Sequence, residues 1–210
     1  MTLFADLVRG YRRFRENGWT EQRDRWTELS QGQNPKVMII ACSDSRVDPA
    51  LIFDVSPGEI FIVRNVAALV PPYETTGGYH GVSAALEFAV TQLEVEEIVV
   101  MGHGMCGGCQ AALSASFKGA KPGEGGFISA WIGMLDDARE TVIAAHGESS
   151  AEAQHAMEHE TVKKSLENLR TFPFVENREN DGRLRLHGAW FAIDGGTLHL
   201  LDESGAFNPA

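Results

Sequence analysis

Val37-Met38-Ile39-Ile40-Ala41-Cys42-Ser43-Asp44-Ser45-Arg46 decides how the chain is read. Its first five residues follow Pro35 as a short apolar run with no polar alternation, the pattern of a strand buried on both faces. Ile60-Phe61-Ile62-Val63 and Ile98-Val99-Val100-Met101 repeat the type. Between those two runs, about Val82 to Leu93, Val82, Leu86, Phe88, Ala89 and Leu93 recur at helical spacing, and Pro71-Pro72 and Gly77-Gly78 punctuate the loop before them. Strand, crossover helix and strand imply parallel pairing. The expectation is an α/β fold with a mainly parallel central sheet flanked by helices.

Working outward, Thr2 to Ser30 carries Leu3, Phe4, Leu7, Tyr11 and Phe14 at three- and four-residue steps, breaks at Asn17-Gly18, and resumes through Trp26 and Leu29. Residues 1–31 therefore read as an N-terminal helical arm, amphipathic, basic on one side and able to wrap a neighbour. Downstream, a helix is expected after Cys106 through Phe117, a glycine-rich loop from Gly119 to Gly126, and helices from about Ile128 to Ala145 and Ala151 to Asn168. Leu184 to His187, Ala189 to Ile193 and Thr197 to Leu201 read as strands. Asp194-Gly195-Gly196 joins the last two as a C-terminal β-hairpin. A chain of 210 residues fits one domain, 1–210, with the α/β core over 32–210.

With 43% hydrophobic and 22% charged residues, the composition is that of an ordinary globular protein. Its net charge of −11 is scattered along the chain and would repel a phosphate backbone, which argues against a nucleic-acid partner. No run reaches the roughly 18 apolar residues needed to span a bilayer. The first residues hold Asp6, Arg9, Arg12 and Arg13 and no apolar signal core, so a cytoplasmic protein is expected. Three cysteines cannot build a disulfide framework, and in such a setting thiols more often bind metal or catalyse.

Cys42 stands where the first buried run ends, and His103-Gly104-Met105-Cys106 where the third ends. In open parallel sheets ligands bind beyond the carboxyl ends of the strands, so this placement brings two thiols and an imidazole toward one point. Taken singly, each has a plainer reading as a small buried thiol or a hydrogen-bonded core histidine. Together they form the donor set that zinc selects, with Asp44 and Arg46 beside it.

The motifs Ala41-Cys42-Ser43-Asp44-Ser45-Arg46, Pro57-Gly58-Glu59, Arg64-Asn65-Val66-Ala67 and Gly102-His103-Gly104-Met105-Cys106-Gly107-Gly108 closely resemble, in order, those of the β-class carbonic anhydrases. The resemblance runs in register from about Gly32 to Leu113 and, more loosely, to the final strands. It implies one zinc ion per chain held by Cys42, His103 and Cys106, reversible hydration of carbon dioxide to bicarbonate and a proton, and a homodimer or tetramer of dimers. Two thiolates and a neutral imidazole leave the metal unit formally uncharged, so it acidifies water less than a three-histidine site and needs help. Arg46 can hold Asp44 as a carboxylate, and Asp44 can then accept a hydrogen bond from the reacting water. If Asp44 left Arg46 it could ligate the metal itself, as the resemblance suggests for some members. Those members resemble one another in a tryptophan three residues before the first cysteine, where this chain has Ile39. Gln33 instead resembles the open-site, plant-like subgroup. The implied pocket has the Gln33 amide meeting substrate oxygen, an apolar wall of Phe61, Val66 and Tyr79, some of it from a partner chain, and Gly107 at a helix start that can meet an anion.

Alternative readings accompany this one. Cys106-Gly107-Gly108-Cys109 is a Cys-x-x-Cys that can signal redox chemistry, although Cys109 is more simply a small helix residue. His155-Ala156-Met157-Glu158-His159 fits the inverted zinc-protease signature, but Glu152, Glu160, Lys163 and Lys164 around it suggest a solvated helix face. The same metal site could hydrolyse carbonyl sulfide or carbon disulfide. With Asp44 as a permanent fourth ligand it would be a noncatalytic zinc-binding module.

Overall fold

Apolar residues at helical spacing do form the arm. In the computed structural model, helices α1 (Phe4–Glu16), α2 (Gly18–Glu21) and α3 (Arg23–Leu29) follow one another, broken where Asn17 leaves helical geometry at φ −111°, ψ −82°. The structure describes residues 2–76 and 78–210; Met1 and Gly77, one of the glycines read as loop punctuation, lie outside the described residues. Contacts divide the chain into two units, Met1–Asn34 and Pro35–Ala210. Within the first, Phe14 packs edge-on against Trp26 with ring centroids 5.8 Å apart. Leu3, Phe4, Leu7 and Tyr11 remain exposed.

The second unit opens with β1 (Val37–Cys42), the helical turn α4 (Pro49–Ile52), β2 (Ile60–Asn65), α5 (Gly81–Glu87) and β3 (Glu97–His103). Then come α6 (Gly107–Leu113), α7 (Gly126–Ile132), α8 (Asp136–His146), α9 (Ala151–Leu169) and α10 (Pro173–Asn180). Strands β4 (Arg185–Ala192), β5 (Thr197–Leu201) and β6 (Phe207–Pro209) close the chain. The sheet order is β2-β1-β3-β4-β5-β6, parallel over the first four strands and antiparallel at the hairpin side. The mainly parallel sheet expected from the three apolar runs is therefore present.

Alternation along β1 explains how the sheet is covered. Met38 and Ile40 face a core with Leu86, Ala89, Val162, Leu166 and Phe172, which come from the segments around α5, α9 and α10. Ile39 and Ala41 face the other way, with Met101 and Ala189, against Ile52 and Phe53 beside α4. A third cluster holds Cys42, Ala67, Leu69, Cys106, Leu113, Leu135 and Met157, and caps the carboxyl ends of β1 and β3.

Several boundaries differ from the sequence expectation. Leu184–His187 and Ala189–Ile193, read as two strands, form the single strand β4, because Gly188 is a packing site rather than a break. A Cβ there would lie 2.9 Å from Leu201 Cβ and 3.1 Å from Leu166 Cδ1. The helix expected over Ile128–Ala145 is divided by a 3₁₀ turn at Gly133–Leu135, and α6 stops at Leu113, four residues short of Phe117. Helix α10, the turn α4 and strand β6 were not anticipated. Both helical pieces begin with proline in the first turn, where a missing N–H costs nothing.

Candidate metal centre

Strand β1 ends at Cys42 and β3 ends at His103, with Cys106 three residues beyond. Because the strands are parallel neighbours, both turns leave the sheet on one side. The Cys42 Sγ, a His103 ring nitrogen and the Cys106 Sγ all lie within 4.8 Å of one another, and all three residues are buried. The two sulfurs are 3.9 Å apart, too far for a disulfide and close to the about 3.8 Å expected of two thiolates sharing tetrahedral zinc. His103 Nδ1 lies 2.8 Å from Gly104 O, and a carbonyl can only accept, so Nδ1 carries the hydrogen. That leaves the Nε2 lone pair directed at the cysteines. Nε2 is buried and has no hydrogen-bond partner, the state of a nitrogen shaped for a metal. Donor types, spacing and the orphan nitrogen all fit zinc.

Their surroundings favour the protonated form of both thiols. The hydrogen bond to Cys106, followed by burial, pushes Cys42 up to about 12. Contact with Cys109, with burial adding to it, pushes Cys106 up to about 12 as well. A bound dication would have to displace those protons.

Asp44 lies alongside. It accepts from Arg46 three times, at Oδ1 from the backbone N–H and Nε (2.9 Å each) and at Oδ2 from Nη2 (2.7 Å). This bonding to Arg46 holds the Asp44 carboxyl well below the usual carboxylate range. Its Oδ2 stands 3.9 Å from His103 Nε2, beside the three donors but outside hydrogen-bond distance. Arg64, which sequence reasoning quoted only as part of a motif, holds this loop from beneath. Its Nε donates to Cys42 O at 2.9 Å and its Nη2 to Asp44 O at 2.6 Å.

The remaining candidates fall into two groups. Val66 is next to the centre: a Cβ on Gly108 would come within 2.9 Å of its Cγ1, and Trp131 Nε1 donates to its carbonyl at 2.9 Å. Gly107 starts α6 and faces open space. Phe61 pairs with Met38, four positions before Cys42 and so roughly 13 Å back along the strand, where it stacks on Phe88. Tyr79 is wholly exposed, and Gln33 belongs to the first unit. One copy of the second unit thus gathers Cys42, Asp44, Arg46, Val66, His103, Cys106 and Gly107, and leaves Phe61 apart from them.

The two alternative motifs resolve physically. Cys109 is a free, buried thiol on α6, 3.4 Å from Thr161 Oγ1. In the second motif His155 and His159 pack against each other, ring centroids 4.2 Å apart, while Glu158 points inward to the metal-centre turn. Among the described residues they form no metal-binding group. Glu158 and Gln154, both bonded to Cys106, are the contacts that sequence reasoning missed.

Comparison with known proteins agrees with this geometry. The family described as carbonic anhydrase matches residues 37–198. The chain is 36% identical over 191 residues to β carbonic anhydrase 5, chloroplastic, of Arabidopsis thaliana, covering 90% of this chain and 62% of the relative. It is 34% identical over 201 residues to a carbonic anhydrase of Synechocystis, covering 93% and 70%. Among solved structures, the β-carbonic anhydrase CcaA superposes with a TM-score of 0.89 at 32% identity, over 97% of this chain and 98% of the other.

Proposed function

The chain belongs to the β-class carbonic anhydrases, and from that membership we propose that it catalyses the reversible hydration of carbon dioxide to bicarbonate and a proton. The observation that carries this reading is the convergence of Cys42, His103 and Cys106 beside an Asp44 already locked by Arg46. Those three residues would hold one zinc ion per chain. When bound, zinc supplies the Lewis acidity that makes water a nucleophile near neutral pH.

The chain's own groups supply the rest. His103 keeps its hydrogen on Nδ1, toward Gly104, and offers Nε2. Asp44, held ionised by Arg46, can only accept, so Oδ2 fixes the direction of the attacking water's hydrogen and leaves its lone pair free for the carbon of carbon dioxide. Val66 supplies apolar surface beside that carbon, and the open space at Gly107 leaves room for bicarbonate. Gln33, Phe61 and Tyr79 complete the pocket from a second copy. Two facts support such an assembly, a homodimer or a tetramer of dimers: the exposed apolar row of α1, and the distance of Phe61 from Cys42 along its own sheet. In this reading the helical arm and the α/β core work as one domain. Among the described residues no helix is long and apolar enough to cross a membrane. The proposed location, the cytoplasm, rests on the acidic and basic residues of the first turns, Asp6, Arg9, Arg12 and Arg13, in place of an apolar signal core.

Metal analysis with a carbon dioxide hydration assay across pH tests the proposal. One zinc per chain and a rate that rises with pH through an inflection above neutrality is the expected result. Zinc without hydration, or hydrolysis of carbonyl sulfide or carbon disulfide in its place, would overturn it.

A further inference from the structure

Met105 sits between two proposed metal ligands, His103 and Cys106, and has the left-handed backbone of a glycine, φ +54°. A side chain held there persists only where its surroundings over-determine the turn. The peptide bond that follows Met105 shows how. Its carbonyl oxygen accepts from Arg46 Nη2 at 3.0 Å. Its N–H, belonging to Cys106, donates to Glu158 Oε1 at 3.0 Å. One peptide plane is gripped at both ends, by the arginine that holds Asp44 and by an acid from helix α9.

Glu158 is built into this position. It is 2% exposed, and each of its polar partners is a donor. Besides Cys106 N–H, Gln154 Nε2 donates to Oε1 at 2.6 Å and Trp190 Nε1 to Oε2 at 3.2 Å. Gln154 Nε2 also lies 3.2 Å from Cys106 O, so the same amide ties the acid to the far side of the ligand residue. Arg46, by contrast, has a 44% exposed side chain, and the structure ties its guanidinium to Asp44 and to Met105 O. An acceptor on the N–H and a cationic donor on the C=O polarise the amide in the same direction and strengthen each other.

We infer that Glu158 is a positioning residue for the reaction: acting through the Met105–Cys106 peptide, it sets the place of Arg46 and hence the orientation of Asp44. This rests on the carbonic anhydrase reading, which gives Asp44 its task. The inverted-protease motif is thereby divided. Its acid serves the metal-centre turn and its histidines pack edge-on against the Trp190 ring.

Glu158→Gln tests the assignment. The amide oxygen can still accept from Cys106 and Gln154, but the amide nitrogen then confronts the Trp190 indole N–H, donor against donor. In zinc-loaded protein, kcat should fall roughly 10–100-fold, the usual cost of losing a support behind a metal ligand, with KM changed much less. The readout independent of turnover is the backbone amide of Cys106, followed by NMR with ¹⁵N-cysteine in both metal-free and zinc-loaded protein. It should move upfield and exchange with solvent about tenfold faster or more in Glu158→Gln, while Cys42 and Cys109 amides hold. The double variant Glu158→Gln/Trp190→Phe removes the opposed donor. It should recover kcat to within about threefold of Trp190→Phe alone, and it carries the test if the single variant does not fold. Equal kcat in wild type and Glu158→Gln, an unmoved Cys106 amide, or a double variant no better than the single, would each overturn the inference. A wild type that binds zinc yet hydrates no carbon dioxide would instead overturn the functional reading, with the amide result still reporting on the clamp.

Discussion

Arg46 gives Asp44 three hydrogen bonds, one from its backbone and two from its guanidinium, although only one residue separates them. Such a closed loop leaves Asp44 an acceptor toward any fourth partner. Asp44→Asn keeps the shape, removes the charge and turns an amide N–H toward Arg46. Zinc content should stay at one per chain, because none of the three donors is touched, and kcat should fall roughly 10–100-fold. Stopped-flow hydration paired with metal analysis measures both. Turnover equal to wild type would take Asp44 out of the mechanism.

Zinc uptake by metal-free protein should depend steeply on pH. Both Cys42 and Cys106 are pushed up to about 12, so through the neutral range each carries a proton that must leave when a thiolate ligand forms. Affinity should therefore rise as pH rises, by about tenfold per thiol and so about a hundredfold per pH unit from the two thiols, and more steeply wherever His103, held above its ordinary value, must also lose a proton. Competition against a chromophoric chelator at several neutral pH values gives the slope. Cys106→Ser should flatten it and weaken binding, and a slope near zero in wild type would refute the thiolate ligation.

Gly107 and Gly108 are neighbours with opposite surroundings. A methyl on Gly107 meets nothing within 4 Å, whereas one on Gly108 would lie 2.9 Å from Val66 Cγ1 and 3.0 Å from the Ala67 Cβ. Ala67 cannot easily retreat, since it is buried and itself in left-handed geometry at φ 64°. Gly108→Ala should lose about 1–3 kcal/mol of stability by overpacking. Gly107→Ala should unfold like wild type but raise KM, because its methyl would stand in the space assigned to bicarbonate. Denaturant titration and steady-state kinetics separate the two, and a stable Gly108→Ala would contradict the packing.

What the sequence made legible follows from where the chemistry sits. Cys42 and His103 end strands built on the apolar runs Val37–Ala41 and Ile98–Met101, so the strand pattern itself points to them, and Cys106 follows within one turn. Glu158 was illegible for an equally physical reason. The buried stripe of α9 is partly polar, with Glu158, Thr161, Ser165 and Asn168 all inward. Ser165 bonds Ala68 O and Val70 N–H, and Asn168 bonds Val70 O, so these side chains satisfy the irregular backbone after β2. Hydrophobic periodicity does not mark such a face. Gly188 is the converse case: it fell between two expected strands, and it is the residue that lets Leu201 and Leu166 close on β4.

His159 makes the fold sensitive to acid. Its ring stacks on Phe207 at 4.1 Å, meets Trp190 and His155, and has its Nε2 buried without a partner. Burial, then the charges of His155, Lys163 and His199, press it down from 6.5 to about 4. Between those values the unfolded chain binds a proton that the folded chain refuses, so stability falls as pH drops from about 6.5 toward 4 and is regained as pH rises. His159→Phe keeps a ring against Phe207 and removes the titrating group. The stability difference between variant and wild type should move in the variant's favour by on the order of 1–2 kcal/mol between neutral and mildly acidic pH, a figure reduced for the ring's partial exposure. Acid release of zinc affects both proteins alike and cancels in that difference. Urea midpoints for the two proteins at each pH supply it, and a gap that stays constant with pH would show that His159 does not resist protonation in the fold.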